Sequence, residues 1–482
     1  MTVINALPAR QTAAVRPADD AARTLGMAWL WLAVAALLAA GLMSLLLALA
    51  RTPLIQQLLD YPTLFRVALV VHVDLSALIW FFACAGLLWT LLSPGRPGLV
   101  DRTAVGLMAI GTLMIATAPL VGRPLAIINN YVPVLEHPWF FLGLGAATAG
   151  LGTQAARYLQ QYVVATAWRD ASMLGTVRLA MALTAAVMGL AIGCVALSWL
   201  LLPAALAGEV LYDLLFWGGG HVLQFAYTLL LLSAWLVLLA AGGACHGLAW
   251  RAVRWLLVLT VVPLAVVPWL YTQPLDSPAH VLGFTALMRW GGLASLPLGA
   301  LALWSLLVHR AGNADARRLR AVALCSMGLF AAGGLLGFLI RGSNTMIPAH
   351  YHGAIVAVTL AAMGLIYVVL PGLGHPIKLV RVARWQPWIY ASGQLMHITG
   401  LAWCGGYGVQ RKVAGAAQGI DGMAETAGMA LMGIGALVSV AGGVMFLVVV
   451  LGALISRGTA SPRMTPGGWT DHHGSARRAS CR

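Results

Sequence analysis

About twelve long apolar runs alternate with short polar loops along this chain of 482 residues. Each run is long enough to cross a bilayer, which takes roughly 20 residues of helix. The chain is 61% hydrophobic and only 9% charged, whereas soluble domains carry about 25% charged residues. The sequence therefore predicts an all-α, polytopic membrane protein with about twelve transmembrane helices in one bundle.

Basic residues give this bundle a predicted orientation. Most of the 29 Lys and Arg residues lie in the two tails and in every second loop, which the positive-inside rule assigns to the cytoplasm together with both termini. The net charge of +15 thus indicates topology, and nucleic acid is not an expected partner. The predicted spans are 27–50, 66–92, 103–121, 138–158, 177–202, 214–241, 253–272, 280–308, 321–340, 348–371, 386–409 and 426–455.

The two ends of the chain are predicted to lie outside the bundle. Residues 1–25 are polar and Ala-rich, without the apolar core and cleavage site of a signal peptide, so we expect a cytoplasmic N-terminal tail. Residues 456–482 have the composition of a disordered segment, so we expect a disordered cytoplasmic C-terminal tail. The membrane domain would then span residues 26–455.

Four histidines are predicted to lie at one depth in the bundle. His350 and His352 are two positions apart, which is about 200° of helix rotation, so their rings point to opposite faces and can serve two separate centres. His72 and His221 lie near the same predicted end of two other spans. Imidazole is a strong ligand for iron and copper, and a histidine inside a membrane is costly unless it is used.

Other histidines have plainer interpretations. We interpret His280 as an interfacial residue at the start of its span, with metal ligation as the alternative, and His397 as a hydrogen-bonded core residue in the middle of another. The six cysteines form no CxxC or CxxCH motif, so the sequence has no signature for a c-type heme, zinc or iron–sulfur site.

The histidine pattern resembles a known family. Twelve spans with His in spans 2, 6 and 10, the last as HxH, resemble subunit I of the heme–copper oxidase and nitric oxide reductase superfamily. The resemblance covers nearly the whole chain. The best segments are FRVALVVHVDLSALIWF, LFWGGGHVLQFAY, MIPAHYHGAIVAVTLAAMGLIYVVLP and YASGQLMHITGLAW with the following GYGVQRK.

This resemblance implies roles for individual residues. His72 and His352 match the axial ligands of a six-coordinate, low-spin heme, and His350 matches the proximal ligand of a second, five-coordinate heme. His221 matches one of three histidines that hold a copper or iron ion beside the second heme. Arg411 and Lys412 match the basic pair that meets the heme propionates. The ligands do not identify the heme type, and heme b is our expectation.

The chain departs from the family pattern at the second metal. Val267, Pro268 and Trp269 stand where the family carries an adjacent His–His pair. A copper or non-heme iron held by His221 alone would be weakly bound, because useful sites need three or four protein ligands. Span 8 has Arg289 but no Lys, and Asp74 is the main acid within a span.

Three functions remain open from the sequence. The first is a diheme oxidoreductase of the bacterial inner membrane, in which electrons pass from the low-spin heme to a high-spin heme that binds O2 or NO, with catalysis at His350 and His221. It would need the lipid bilayer and an electron donor, either a partner subunit, a cytochrome or quinol. The second is a non-catalytic electron-transfer or gas-sensing protein without the second metal. The third is a twelve-helix transporter.

Overall fold

A computed structural model describes residues 15–53 and 62–455, and twelve helices account for nearly all of them. The helices are α1 (Asp20–Arg51), α2 (Thr63–Leu92), α3 (Leu99–Leu120), α4 (Pro138–Val164), α5 (Met173–Leu201), α6 (Gly208–Ala241), α7 (Trp250–Leu270), α8 (Pro278–Val308), α9 (Ala314–Phe338), α10 (Met346–Gly372), α11 (Val380–Gly406) and α12 (Met423–Ile455). The connection between α3 and α4 contains a two-stranded antiparallel hairpin of β1 (Leu125–Ile127) and β2 (Val134–Glu136).

The predicted all-α membrane architecture is confirmed. Within the described ranges, ten helices are long and apolar enough to cross a membrane. The other two, α4 and α11, are equally long but carry more polar residues, including Gln154 and Gln161 in α4 and Gln386 in α11. These three amides are buried against neighbouring helices, so the polar positions face the protein interior.

The helices at the centre of the bundle are buried to a larger fraction than those at its periphery. In their most apolar segments, 83% of α6 residues and 78% of α10 residues are buried, against 28% for α8. The central helices α6 and α10 pack against each other, and α9 packs against both. Three tryptophans, Trp29, Trp80 and Trp89, are completely buried in the same continuous core. The centre is therefore bounded by the helices that carry the predicted histidines.

We call the side of the bundle that carries the hairpin the hairpin end. α1 and α11 end there, and α2, α6 and α10 begin there. His72, His221, His350 and His352 all lie within about four turns of the start of their helices, at 1.5 Å per residue. The structure therefore brings all four histidines to the hairpin-end half of the bundle.

Two glycines let α9 and α10 approach each other closely. A Cβ atom on Gly353 would lie 2.5 Å from the Cα atom of Gly333, and one on Gly333 would lie 2.4 Å from the backbone nitrogen of Ala354. Small residues permit this kind of backbone contact between membrane helices. The contact brings the carbonyl groups of α9 next to the start of α10, where His350 lies.

Two helices depart from regular α geometry near the site. In α2, residues Asp74–Ile79 form a wider π-helical segment directly after His72, a feature often found at functional sites. In α7, residues Val262–Val266 form a 3-10 segment that includes Pro263, as expected where proline removes a helical hydrogen bond.

Most residues of the two predicted tails lie outside the described ranges. Residues 1–14 of the proposed N-terminal tail and all of the proposed C-terminal tail, 456–482, are outside the described residues. Helix α1 begins at Asp20, where the Asp19 carboxylate accepts a hydrogen bond from the backbone nitrogen of Ala22 at 2.8 Å. The helix therefore starts seven residues before the predicted span, with a side-chain cap of the usual kind.

Candidate heme and gas-binding site

His72 lies near the end of the regular α-helical part of α2, just before the π-helical segment. Its ring is directed toward α1. Its Nδ1 lies 3.0 Å from the carbonyl oxygen of Ala40. The ring is half-buried, and the π-helical segment follows it after one residue. Within that segment Ser76 donates its hydroxyl to the carbonyl of His72 at 2.6 Å. A neighbouring helix thus holds the ring in one orientation.

His352 lies close to a third imidazole that the family pattern does not use. Its Nδ1 contacts the carbonyl oxygen of Pro348 at 2.8 Å, one turn back in α10. Its ring centroid is 4.9 Å from that of His397 in α11, with the planes at 58°. His72 lies close enough to His352 and His397 for an electrostatic interaction with each of them. Three imidazoles from α2, α10 and α11 therefore share one region, which we call the three-imidazole region.

His350 faces a different neighbour from His352. Its Nδ1 lies 2.7 Å from the carbonyl oxygen of Gly333 in α9, and a Cβ on Gly337 would lie 2.7 Å from the same nitrogen. His352 instead contacts α11. The two rings therefore serve opposite sides of α10, as the spacing of two residues predicts.

His72, His350 and His352 present the same ring nitrogen for ligation. A carbonyl oxygen only accepts hydrogen bonds, so each Nδ1 must be the protonated nitrogen and each Nε2 carries a lone pair. Among the described residues, none of these three Nε2 atoms has a hydrogen-bond partner. An Nδ1–H bonded to a carbonyl is the usual support for a metal-ligating histidine. The donor set therefore fits heme iron ligands.

His221 has both ring nitrogens engaged. Its Nδ1 lies 2.7 Å from the carbonyl of Trp217, and its Nε2 lies 2.8 Å from the hydroxyl of Tyr131. The ring is 1% exposed. It contacts the aromatic rings of Tyr131, Trp217 and Phe284 at centroid distances of 4.7, 4.9 and 5.8 Å. We call this the closed aromatic region.

Tyr131 occupies the position from which a metal would approach His221. Burial raises the pKa of the Tyr131 hydroxyl, and the Asp213 carboxylate acts in the same direction, so the hydroxyl stays protonated and donates to Nε2. The tyrosine ring fits against Gly220, where a Cβ would lie within 2.3 Å of a ring carbon. Because His221 already has a hydrogen-bond partner here, it does not offer a free lone pair.

The remaining ligands of a second metal are missing from the described part of the chain. Val267 is buried where the resemblance implies an imidazole, and Trp269 is 57% exposed on the outside of α7. The described residues contain no group of three or more His, Cys, Asp or Glu side chains that could hold a metal ion. The donor set therefore does not fit a copper or non-heme iron ion beside His221.

His280 belongs to the same closed aromatic region. The sequence indicated an interfacial residue, but the ring is completely buried against Tyr271 and Phe284, at 5.2 and 5.0 Å. Its Nδ1 contacts the carbonyl of Leu270 at 3.0 Å, and its Nε2 has no partner among the described atoms. His280 is thus enclosed by helices rather than exposed at a surface.

Arg411 and Lys412 bind the hairpin loop. Arg411 donates to the side chains of Asn130 at 2.7 Å and Ser343 at 2.9 Å. Lys412 donates to the carbonyl of Ile128 at 2.9 Å and lies 3.8 Å from the Glu209 carboxylate. Burial lowers the pKa of Lys412 to about 8, and the neighbouring Arg411 acts in the same direction. The basic pair therefore fastens the loop that carries Tyr131.

Asp74 is the most isolated acid of the described bundle. Its side chain is completely buried, and neither carboxyl oxygen has a hydrogen-bond partner among the described residues. It does not contact the ring of His72, whose Nδ1 is bonded to Ala40. The neighbouring Tyr227 donates its hydroxyl to the carbonyl of Ala77 in the π-helical segment.

Sequence reasoning missed Tyr131 and gave His397 no role at the site. Tyr131 lies in a loop that carries no recognisable motif. His397 could have been noticed as a polar residue in mid-span, but its contact with His352 depends on how α10 and α11 pack. Only the structure relates these residues to the predicted ligands.

Comparison with known proteins agrees with the geometry. Residues 24–445 match the family model described as Cytochrome C and Quinol oxidase polypeptide I. The fold is similar to that of a heme-copper terminal oxidase solved as a dimer by cryo-EM, with a TM-score of 0.71 and 16% identity over 92% of this chain and 85% of that one.

Two relatives are similar over most of their length. An uncharacterised protein of Rickettsia prowazekii (strain Madrid E) is 29% identical over 88% of this chain and 94% of its own. An uncharacterised protein of Aquifex aeolicus (strain VF5) is 28% identical over 75% of this chain and 88% of its own. With the family match covering most of the sequence, the chain belongs to the cytochrome c and quinol oxidase polypeptide I family.

Proposed function

We propose that this protein is a diheme oxidoreductase of the membrane, an oxidase-like or nitric-oxide-reductase-like subunit I. His72 and His352 would be the axial ligands of a low-spin heme, and His350 the proximal ligand of a high-spin heme. The observation that carries the proposal is the shared geometry of these rings, each with Nδ1 bonded to a backbone carbonyl and Nε2 free. Family membership supports the assignment.

His350 and His352 face different helices, and this would give the two hemes different numbers of ligands. His352 lies toward α11 and shares the three-imidazole region with His72, which supplies the two lone pairs that a six-coordinate iron needs. His350 lies toward α9, and its nearest contacts there are two glycines rather than a second imidazole. One ligand only on that side leaves an iron position open, as gas binding requires.

The bound hemes would supply electron transfer from the six-coordinate to the five-coordinate group and an open iron position for O2 or NO. The chain's own residues would orient the rings through Ala40, Pro348 and Gly333 and keep water away through the buried core. Arg411 and Lys412 would provide positive charge at the hairpin end for heme propionates. Electrons would come from a partner subunit, a cytochrome or quinol.

The charge distribution supports an orientation within this proposal. Both termini would be cytoplasmic, by the positive-inside rule, and the hairpin end would then face away from the cytoplasm. The membrane would be the bacterial inner membrane, where quinol and cytochrome donors are available.

The closed aromatic region favours a second candidate function. With Tyr131 at 2.8 Å from the Nε2 of His221, that imidazole is not free to hold a metal beside the high-spin heme. A second metal supplies an electron and an anchor when O2 is reduced to water. Without it, a protein that binds a gas or transfers electrons, but does not turn over O2 or NO, becomes the alternative.

One set of measurements on the purified protein separates these possibilities. We expect two hemes per chain, one of which binds CO, and less than stoichiometric copper and non-heme iron. Consumption of O2 or NO with a supplied electron donor would support the oxidoreductase, and heme without consumption would support the electron-transfer or gas-sensing function. Absence of heme bands in the reduced-minus-oxidised spectrum would overturn both and favour a transporter.

A further inference from the structure

An exposed arginine lies within the membrane span of α8, which is the least buried of the ten helices that are long and apolar enough to cross a membrane. Arg289 is the twelfth of the 31 residues of this helix. At 1.5 Å per residue it lies roughly 16 Å from the start of α8 and roughly 28 Å from its end. A helix of this length extends about 8 Å beyond each side of a hydrocarbon layer that is about 30 Å thick. Arg289 therefore lies inside the hydrocarbon layer.

Contacts between α8 and α6 give Arg289 a similar depth. Asp213 of α6 accepts a hydrogen bond from the backbone nitrogen of Asn130 in the hairpin loop, so it marks the polar layer at the hairpin end. Phe225 follows twelve residues later, which is about 18 Å along the helix. A Cβ on Gly291, two residues after Arg289, would lie 3.2 Å from the ring of Phe225. Arg289 is thus well below the polar layer.

The guanidinium of Arg289 has no partner in the described part of the chain. It forms no ion pair or side-chain hydrogen bond with any described residue. Arg178 of α5, by contrast, donates to the carbonyl of Leu92 at 2.9 Å. Charged side chains inside a membrane are costly, and they usually face the bundle interior and pair with other groups there. Arg289 faces outward, so an anionic group from outside the described residues is the partner that it needs.

Arg289 also belongs to an exposed seam along α8 that has the spacing of a coiled coil. The seam consists of eight exposed residues separated alternately by four and three positions: Leu282, Ala286, Arg289, Leu293, Leu296, Ala300, Leu303 and Leu307. Helices with this heptad spacing pack side by side in coiled coils and in membrane bundles. A Cβ on the exposed Gly292 would meet nothing within 4 Å, so there is room for a second helix at the level of the arginine.

A second copy of this chain does not supply the missing anion. Among the described residues, Asp74 is the acid in the interior of a helix, and it is completely buried. The other acids of the described helices lie within the first six residues of α1, α3, α6, α9 and α12. The phosphate of a lipid headgroup lies outside the hydrocarbon layer. A different transmembrane helix with its own Asp or Glu is the occupant that matches the charge, the depth and the seam.

We propose that α8 packs in the membrane against a transmembrane helix of another polypeptide, and that Arg289 forms an ion pair with an Asp or Glu inside that helix. The guanidinium has donors in a planar fork, which binds a carboxylate through two parallel hydrogen bonds. No water competes for this pair in hydrocarbon, so it would fix the register of the two helices, as a single polar residue does in a coiled-coil seam. The proposal does not depend on the proposed heme ligands.

Photo-crosslinking of the full-length protein in membranes of its native host tests this proposal. A photoreactive amino acid replaces Leu293, the next seam residue after Arg289. We expect a crosslink to a membrane polypeptide whose crosslinked helix, mapped by mass spectrometry, carries an Asp or Glu at the depth of Arg289. The same photoreactive residue at Leu113, which is 64% exposed on α3, is the positional control and should not reach that helix.

Substitutions of Arg289 then test the ion pair itself. Arg289→Leu should lower the crosslink yield about tenfold, because one side of a desolvated charge pair is lost. Arg289→Lys, which keeps the charge, should retain most of the yield. Exchange of the two charges, by Arg289→Glu together with an arginine in place of the partner's acid, should restore it. Arg310→Leu is the matched control, since it removes an exposed arginine just beyond the end of α8, and it should leave the yield unchanged.

Several results would overturn the proposal. Crosslinks to lipid alone, to a second copy of this chain, or to a helix without an acid inside the membrane would each do so. An unchanged yield in Arg289→Leu would have the same meaning. If Arg289→Leu does not accumulate in the membrane, failure of the charge exchange to restore the crosslink would overturn the proposal equally.

Discussion

The three-imidazole region and the closed aromatic region lie at the same end of the bundle but treat their histidines differently. The rings of His72, His352 and His397 are half-buried, and each uses only Nδ1 in a hydrogen bond. His221 is 1% exposed and uses both nitrogens. An unused lone pair on a half-buried ring can bind a ligand, whereas an imidazole with both nitrogens bonded inside an aromatic shell cannot. The first region therefore offers nitrogen donors to a ligand, and the second does not.

The basic residues of the hairpin end hold two different loops. Arg411 and Lys412 hold the loop that places Tyr131 on His221, and Lys412 has an acidic neighbour in Glu209. Arg51 donates instead to Gln410 and Gln418, in the loop between α11 and α12. Of these three residues, Arg411 and Lys412 are therefore the ones that contact the loop of the closed aromatic region.

The largest expected effect comes from removing an imidazole of the three-imidazole region. His72→Ala and His352→Ala should each abolish the low-spin heme spectrum, because one axial ligand is lost and the other cannot form a six-coordinate iron alone. The measurement is the reduced-minus-oxidised spectrum with heme quantification. His309→Ala is the control, since the Nδ1 of His309 is also bonded to a backbone carbonyl, that of Ser305 at 2.9 Å, at the opposite end of the bundle.

One outcome of these substitutions would contradict the contrast between the two regions. If His221→Ala abolished the low-spin spectrum while His72→Ala left it intact, the closed region would be the ligand-bearing one and the assignment of the two regions would be reversed.

A glycine next to His350 offers a smaller and more selective perturbation. In Gly337→Ala the new Cβ would lie 2.7 Å from the Nδ1 of His350, which must break its bond to Gly333 or turn the ring. We expect a loss of stability of about 1–3 kcal/mol and a reduced CO-difference signal, with the low-spin spectrum retained. Gly334→Ala is matched on the same helix, because its Cβ would meet nothing within 4 Å.

An unaltered CO signal in Gly337→Ala, with heme content equal to wild type, would show that His350 is not a heme ligand. The measurement is CO-difference spectroscopy alongside thermal unfolding of both variants.

The hydroxyl of Tyr131 tests the closed aromatic region. Tyr131→Phe removes the donor to His221 and leaves its Nε2 unpartnered in a buried place, which should cost about 1–3 kcal/mol of stability. Heme content should not change. Tyr407→Phe is the control, since Tyr407 is 58% exposed. Thermal unfolding measures the stability difference, and elemental analysis measures bound metal.

Stoichiometric copper in the wild-type protein would contradict this account of Tyr131. So would a fully stable Tyr131→Phe, because it would mean that the hydrogen bond to His221 does not form.

The sequence predicted the bundle well because the length of each apolar run and the charge of each loop are properties of short stretches of sequence. Twelve spans and the opposite facing of His350 and His352 could be inferred from composition and spacing, and the missing imidazoles at Val267 to Trp269 from the family resemblance. The role of Tyr131 could not, because it depends on a contact with His221, 90 positions away in the chain. Such contacts leave no periodic signal in the sequence.

The enclosure of His280 could not be predicted for a related reason. A histidine at a span end is commonly interfacial, but here Tyr271 and Phe284 enclose it, and that enclosure depends on how the end of α7 packs against the start of α8. Local position alone did not reveal which neighbour covers the ring.

The smallest expected effect is the titration of Lys412, which fastens the loop between the two regions. Its amine is mostly charged at pH 7 and mostly neutral at pH 9, because burial beside Arg411 lowers its pKa to about 8. Acylation by an amine-reactive ester should therefore increase with pH around a midpoint near 8, and mass spectrometry distinguishes it from Lys378, the only other lysine in the sequence. A midpoint above pH 10 would mean that Lys412 is solvated, and the hairpin loop would then not be held against His221 in the way that separates the two regions.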